Sequence, residues 1–78
     1  MLSDEERKEF RKLLRRIGRN LRRARKEKQK SQREMSELIG ISTRAYQGIE
    51  IGEQPISMRS LFRISRRSNI SLQELIDI

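Results

Sequence analysis

Apolar residues recur at steps of three and four along most of this 78-residue chain, a period typical of α-helices. The longest such stripe lies between residues 3 and 28 and consists of Phe10, Leu13, Leu14, Ile17, Leu21 and Ala24. Shorter segments with the same period begin at residues 31, 42, 57 and 71, and none shows the alternation of a strand. Since the chain has only one proline and four glycines, we predict an all-α fold of five helices.

The predicted helix ends carry typical capping residues. Three serines, at positions 3, 31 and 71, are followed three residues later by Glu, which is the spacing of the capping box. Ser42 and Ser57 are expected to cap helices three and four. Gly40 is predicted to end helix two with a positive φ, and Asn69 to end helix four in the left-handed conformation. Gly18 lies off the stripe of helix one and indicates a bend or a close helix contact.

Each of the four short helices is expected to turn one side toward a small core. The residues predicted to face inward are Met35, Leu38, Ile39, Tyr46, Ile49, Glu50, Met58, Leu61, Phe62, Ile64, Leu72, Leu75 and Ile76. Only 33% of the residues are apolar and 38% are charged, a composition that disordered chains share. The periodicity of the apolar residues nevertheless favours a folded domain, with the marginal stability of a small core.

Positive charge is concentrated in the first helix. Residues 1–30 contain 13 Lys and Arg against 5 Asp and Glu, whereas residues 31–78 contain 6 of each, so the first stretch carries the whole net charge of +8. This favours a polyanionic partner, either nucleic acid or an anionic membrane surface. The candidate phosphate contacts in this helix are Arg15, Arg16, Arg19, Arg22, Arg23 and Lys26. We favour nucleic acid and predict no membrane partner, because the apolar stripe of this helix is needed for the core and lacks Trp.

The sequence disfavours several other classes of function. Without Cys or His, the chain has no disulfide framework and no Cys/His zinc site. It has no His- or Cys-based nucleophile set and no Gly-rich phosphate loop, so we predict neither an enzyme nor a bound cofactor or metal. No apolar run has the length of a membrane span, and the start "MLSDEERKEF" is unlike a secretory signal, which favours a cytoplasmic protein.

Three stretches of the chain resemble the Cro/repressor family of helix-turn-helix proteins, also called Xre-like: "IGRNLRRARKEK", "SQREMSELIGISTRAYQGIEIG" and "SMRSLFRISRRSNISLQELI". The resemblance runs from Ile17 to Ile76. It implies a five-helix DNA-binding domain of the phage-repressor type, with the helix-turn-helix at residues 32–51 and helix three in the major groove of DNA. Residues 1–16 extend helix one beyond the family's usual start, so we expect a helical extension at 1–16 and the DNA-binding domain at 17–78.

One side of helix three is predicted to read bases. Positions 43, 44, 47 and 48 are neighbours on a helix, and positions 46, 49 and 50 lie on the other side. Arg44 can donate two hydrogen bonds to guanine O6 and N7, Gln47 can match adenine N6 and N7, and Thr43 can bond a base edge or touch a thymine methyl. Without a duplex, Arg44 would be a solvated arginine and Thr43 a second capping residue. Gly48 has no side chain with which to read a base.

The resemblance implies further roles around that side of the helix. Gln32 is expected to contact a DNA phosphate and to brace the first reading residue. Glu50 resembles a buried acid that pairs with an arginine of helix one, which by register is Arg25. The other predicted phosphate contacts are Ser42 at the start of helix three and Gln54, Ser57 and Arg59 near the start of helix four. Ser36 and Ser65 replace the family's usual small alanines, so each places a hydroxyl that needs a partner in a tight helix contact.

These features predict a sequence-specific transcription regulator of the repressor type, encoded by a bacterium, phage or plasmid, that binds double-stranded DNA. It is expected to bind a pseudo-palindromic operator as a homodimer. The candidate interface residues are Leu75, Ile76 and Ile78 of helix five, and Leu2 and Phe10 of the extension. No small-molecule ligand is indicated. The alternative is a protein-interaction module, such as an antitoxin or anti-repressor with the same fold, which Gly48 and the low charge of residues 31–50 favour.

Overall fold

In a computed structural model, which describes residues 1–77, the chain forms five α-helices. They are α1 (Asp4–Glu27), α2 (Gln32–Ile39), α3 (Thr43–Ile51), α4 (Met58–Ser68) and α5 (Leu72–Ile76). No strand is formed within residues 1–77. The all-α, five-helix fold predicted from the period of the apolar residues is therefore confirmed.

The helix ends are set by local hydrogen bonds. The residue before each helix is a serine whose hydroxyl accepts a hydrogen bond from the backbone N–H three residues later: Ser3, Ser31, Ser42, Ser57 and Ser71. The reciprocal bond of the capping box is also formed at Ser3 and Ser31. Gly40, with a φ of 86°, and Asn69, with a φ of 56°, end α2 and α4 in the predicted left-handed conformation.

All five helices contribute to one core. α1 packs against α3 and α5, α2 packs against α3 and α4, and α4 packs against α5. The largest fully buried side chains are those of Tyr46, Leu21, Met35, Ile39, Ile64 and Leu75. Burial of one such apolar side chain contributes about 1.5–3 kcal/mol, so these few residues supply much of the driving force for folding.

α1 and α3 are in direct backbone contact at Gly18. A Cβ atom at this position would lie 2.6 Å from the carbonyl oxygen of Ile49 and closer still to that of Glu50. The close helix contact predicted at Gly18 is therefore confirmed. A second close contact lies about one turn earlier on α1, at Arg15. A Cβ atom on Gly52, at the end of α3, would lie 2.8 Å from the Cα of Arg15. These two contacts hold the end of α3 tightly on α1.

Four residues predicted to face inward are exposed instead: Leu38 (41%), Met58 (72%), Phe62 (58%) and Ile76 (44%). A short helix buries only a narrow arc, which in α4 is centred on Leu61 and Ile64, and side chains beside that arc reach solvent. Leu75, named above as a candidate for the dimer interface, is fully buried in the monomer, so that assignment is wrong. Ile78, another candidate, lies outside the described residues.

The N-terminal part of α1 extends beyond the rest of the domain. α1 has 24 residues, which at 1.5 Å per residue is about 36 Å, close to the longest dimension of the protein, 37 Å. Residues 1–12 are all exposed, and burial begins at Leu13. Within residues 1–77, no helix combines the length and the apolar character that crossing a membrane requires.

Candidate nucleic-acid interface

The two sides of α3 differ in burial. Arg44 and Gln47 are exposed and Thr43 is half-buried, whereas Tyr46 is fully buried and Glu50 is 8% exposed. The three side chains predicted to read bases therefore share one solvent-facing side of the helix. Because the opposite side is held in the core, the direction in which these side chains point is set by the fold.

A chain of amide hydrogen bonds holds Gln47. Its Nε2 donates to Oε1 of Gln32 at 3.0 Å, and Nε2 of Gln32 donates to Oε1 of Glu50 at 3.1 Å. An ionised carboxylate only accepts hydrogen bonds, so Glu50 sets the orientation of the Gln32 amide, and Gln32 sets that of Gln47. Within residues 1–77, the Oε1 of Gln47 and its second N–H have no further hydrogen bond, so they are open to an outside partner. Gln32 was expected to brace the first of the base-reading residues, which in chain order is Thr43, but it holds Gln47 instead.

Thr43 is held by a different residue. Its Oγ1 lies 3.1 Å from the Oγ of Ser36, and the Ser36 hydroxyl donates to the carbonyl oxygen of Arg33 at 2.7 Å. Ser36 is 1% exposed. The Ser36 hydroxyl, for which the sequence predicted a need for a partner, thus has two partners, and one of them is a predicted base-reading residue.

The predicted partners Arg25 and Glu50 form a buried ion pair between α1 and α3. Nε of Arg25 donates to Oε2 of Glu50 at 2.6 Å, and Nη2 donates to Oε1 at 3.2 Å. Nη1 donates to the carbonyl oxygen of Lys30 at 2.9 Å, and the Tyr46 hydroxyl donates to Oε2 of Glu50. The Arg25 and Glu50 side chains are 11% and 4% exposed. Because Gln32 also bonds Glu50, this carboxylate connects α1, α2 and α3.

The hydrogen bonds fix the charges of this cluster. Burial alone would raise the pKa of Glu50, but hydrogen bonds from Arg25, Tyr46 and Gln32 outweigh it, and the pKa lies below its ordinary value. Burial, and then the hydrogen bond to Glu50, raises the pKa of the Tyr46 hydroxyl. The hydrogen bond to Glu50 raises the pKa of Arg25. At neutral pH, Glu50 is therefore ionised and the Tyr46 hydroxyl remains a donor.

The predicted phosphate contacts lie in two places beside α3. Ser42, Gln54 and Ser57 line a groove together with Arg44, between α3 and the loop that leads to α4. Arg59 is exposed on the first turn of α4. On the other side of α3, Gln32 borders a second groove, and Arg22 and Ser31 line it as well. The predicted contacts thus flank the exposed side of α3 on both sides.

Two polar residues that hold helix ends were not predicted from the sequence. Nδ2 of Asn20 donates to the carbonyl oxygens of Leu75 and Asp77, both at 2.9 Å, and ties the end of α5 to α1. Nη1 of Arg67 donates to the carbonyl oxygen of Ile39 at 2.7 Å, at the end of α2. Asn20 lies between apolar positions of the α1 stripe, and this position in the sequence could have indicated a buried polar residue.

A short α2–α3 pair with a left-handed turn at Gly40, an open polar side on α3 and supporting helices before and after it define a helix-turn-helix domain. Residues 21–75 match the model of the helix-turn-helix family, and the chain belongs to this Cro/Xre-like family of DNA-binding regulators. The family is generally non-enzymatic. A search for relatives among curated proteins found no match.

Proposed function

We propose that this regulator is a repressor-like transcription factor that binds a pseudo-palindromic operator sequence-specifically, as a homodimer, with α3 in the major groove. It would act on bacterial, phage or plasmid DNA in the cytoplasm. The observation that carries the proposal is the exposed side of α3, where Thr43, Arg44 and Gln47 lie together and two of the three are held from behind. Side chains held in one orientation lose less entropy when they bind a base edge.

Each of the three side chains suits a different base. Arg44, which is exposed, can donate two hydrogen bonds to O6 and N7 of guanine. Gln47 gives one N–H to Gln32, so its Oε1 and its other N–H are left to accept from N6 and donate to N7 of adenine. Thr43 offers a hydroxyl oxygen and a methyl group. Three adjacent readers of this kind cover a few base pairs.

Phosphate contacts would hold the domain in register. We expect one DNA strand to contact Ser42, Gln54 and Ser57, which line one groove, and the exposed Arg59. We expect the other strand to contact Gln32 and Arg22, which line the second groove. The net charge of +8 adds a sequence-independent attraction that weakens with salt. The backbone contacts position the protein, and the contacts to bases give specificity.

The dimer requires a surface that the monomer leaves uncovered. In helix-turn-helix dimers the two half-sites lie about 34 Å apart, one helical turn of DNA. Ile76 of α5 is the exposed candidate in the helix that we favour, and Met58 and Phe62 are exposed on α4, which packs against α5. The exposed Leu2 and Phe10 of the N-terminal extension form the other candidate surface.

Binding by Arg44→Ala and Arg59→Ala proteins tests base reading. We would select a preferred duplex from a random pool and titrate it and a scrambled duplex at one salt concentration. Arg44→Ala should lose about 1–3 kcal/mol of discrimination at one base pair, whereas Arg59→Ala should weaken binding to both duplexes alike. If both variants lose the same affinity on both duplexes, Arg44 does not read a base.

A protein-interaction module, such as an antitoxin or anti-repressor, is the second candidate function. It is favoured by the exposed stretch at residues 1–12, helical from Asp4, which lies outside the family match at 21–75. A gel-shift assay of the pure protein on its own upstream DNA, with random competitor DNA at physiological salt, separates the two functions. A specific shift favours the regulator, and its absence favours the interaction module.

A further inference from the structure

We propose that buried Ser36 makes the Thr43 hydroxyl act only as a hydrogen-bond acceptor. The operator position that Thr43 faces would then exclude guanine. The inference rests on the proposed function, because it takes α3 to lie in the major groove. Ser36 is 1% exposed and cannot touch DNA. The inference therefore adds a buried residue to those that determine the operator sequence.

The hydroxyl protons can be assigned by counting. Ser36 has a single hydroxyl proton, and its Oγ lies 2.7 Å from the carbonyl oxygen of Arg33. A carbonyl oxygen has no proton to give, so the proton of Ser36 lies in that bond. The Oγ of Ser36 and the Oγ1 of Thr43 are 3.1 Å apart and need one proton between them. It must come from Thr43, which therefore donates inward to Ser36.

Thr43 then has only a lone pair and a methyl group to offer a duplex. In the major groove adenine and cytosine present an amino donor, and thymine presents a methyl group beside its O4 acceptor, whereas guanine presents only two acceptors, N7 and O6. A threonine with a free proton can bond donors and acceptors alike. With its proton held by Ser36, Thr43 matches adenine, cytosine or the thymine methyl and sets acceptor against acceptor at guanine.

Selection from randomised duplexes tests the proposal with the wild type and Ser36→Ala. We expect the wild type to deplete guanine at one position by about fivefold or more, in line with the usual cost of a wrong base pair. Ser36→Ala frees the proton of Thr43, so guanine should be accepted at that position while preferences elsewhere stay unchanged. Adding Ser36→Ala to a Thr43→Val protein should change nothing further, because Ser36 acts through the Thr43 hydroxyl.

Ser68→Ala is the matched control. Ser68 is also a buried helical serine, 3% exposed, whose hydroxyl donates to a backbone carbonyl oxygen, that of Ile64. It lies on α4 and has no hydrogen bond to α3 among those found within residues 1–77. Its removal should therefore leave the selected sequences as in the wild type. If Ser68→Ala relaxes the guanine position as much as Ser36→Ala does, general loosening explains the effect and the proposal is overturned.

A measurement without DNA tests the proton assignment separately. By NMR, the hydroxyl proton of Thr43 should exchange slowly with water in the free wild type and quickly in Ser36→Ala. Equal exchange in the two proteins overturns the proposal, as does an unchanged guanine preference in Ser36→Ala when the wild type selects a sequence. A wild type that selects no sequence overturns the proposed function and this inference together, even where the exchange difference is seen.

Discussion

Replacing Glu50 by alanine is expected to lower the free energy of unfolding by about 3–5 kcal/mol, the usual cost of breaking a buried ion pair from one side. Its carboxylate accepts two hydrogen bonds from Arg25 and one each from Gln32 and Tyr46. The truncation leaves the Arg25 side chain, 11% exposed, without a carboxylate partner, and it retains the hydrogen bond to the carbonyl oxygen of Lys30. The fully buried Tyr46 hydroxyl loses its acceptor as well.

This loss is large for a domain of 78 residues, whose whole stability is expected to be roughly 4–12 kcal/mol. At about 4–8 °C per kcal/mol for a domain of this size, the melting temperature should fall by at least about 12 °C. Circular dichroism during heating and urea titration measures both quantities. If the free energy of unfolding of the wild type is near the lower end of this range, the variant will be largely unfolded at room temperature.

The exposed pair of Arg33 and Glu37 provides the control. Their charged groups are 3.2 Å apart, but the side chains are 81% and 67% exposed, so Glu37→Ala should cost no more than about 0.5 kcal/mol. Replacing Arg25 and Glu50 together by apolar residues of similar size should recover much of the loss, because no buried charge is then left unpaired. A Glu50→Ala protein as stable as Glu37→Ala would refute a structural role for the pair.

Two further predictions concern pH and helix contact. Because folding lowers the pKa of Glu50, its stabilising contribution is complete above its ordinary value of 4.5 and is lost as the pH falls through the lower folded value. Urea titrations should show a shallower loss in this range for Glu50→Gln, and parallel profiles would contradict the assignment. Gly18→Ala should lower the free energy of unfolding by about 1–3 kcal/mol, because the new Cβ meets the α3 backbone. In Gly48→Ala the new Cβ would lie 3.7 Å from the Glu53 side chain, so the free energy of unfolding should rise by up to about 1 kcal/mol. If Gly18→Ala and Gly48→Ala had equal melting temperatures, α1 and α3 could move apart without loss of stability.

The helix ends were predictable because capping is local. A serine cap and its N–H partner are three residues apart, and the left-handed stops at Gly40 and Asn69 depend on one residue's own backbone. The split of α3 into a buried and an exposed side also follows from residue spacing alone. Arg25 as the partner of Glu50 came instead from the resemblance to the family, since nothing in the spacing of two residues 25 positions apart indicates contact.

Contacts between helices were predicted less well. Met58 and Phe62 were expected inside and are exposed, because the position of the neighbouring helices decides which arc of α4 is covered. Gln32 was expected to brace Thr43 and holds Gln47 instead. Thr43 and Gln47 lie one turn apart on α3. Which of them Gln32 contacts depends on how α2 sits against α3, and the local sequence of neither helix determines that.

The sequence by itself therefore determined the five helices, their ends and the side of α3 that faces outward, since these depend on hydrogen bonds and spacings within a few residues. Only the tertiary structure decided that Ser36 meets Thr43, that Gln32 meets Gln47 and which apolar side chains remain exposed. The reason is geometric: such contacts depend on the distance and angle between helices, which the packing of the whole core sets.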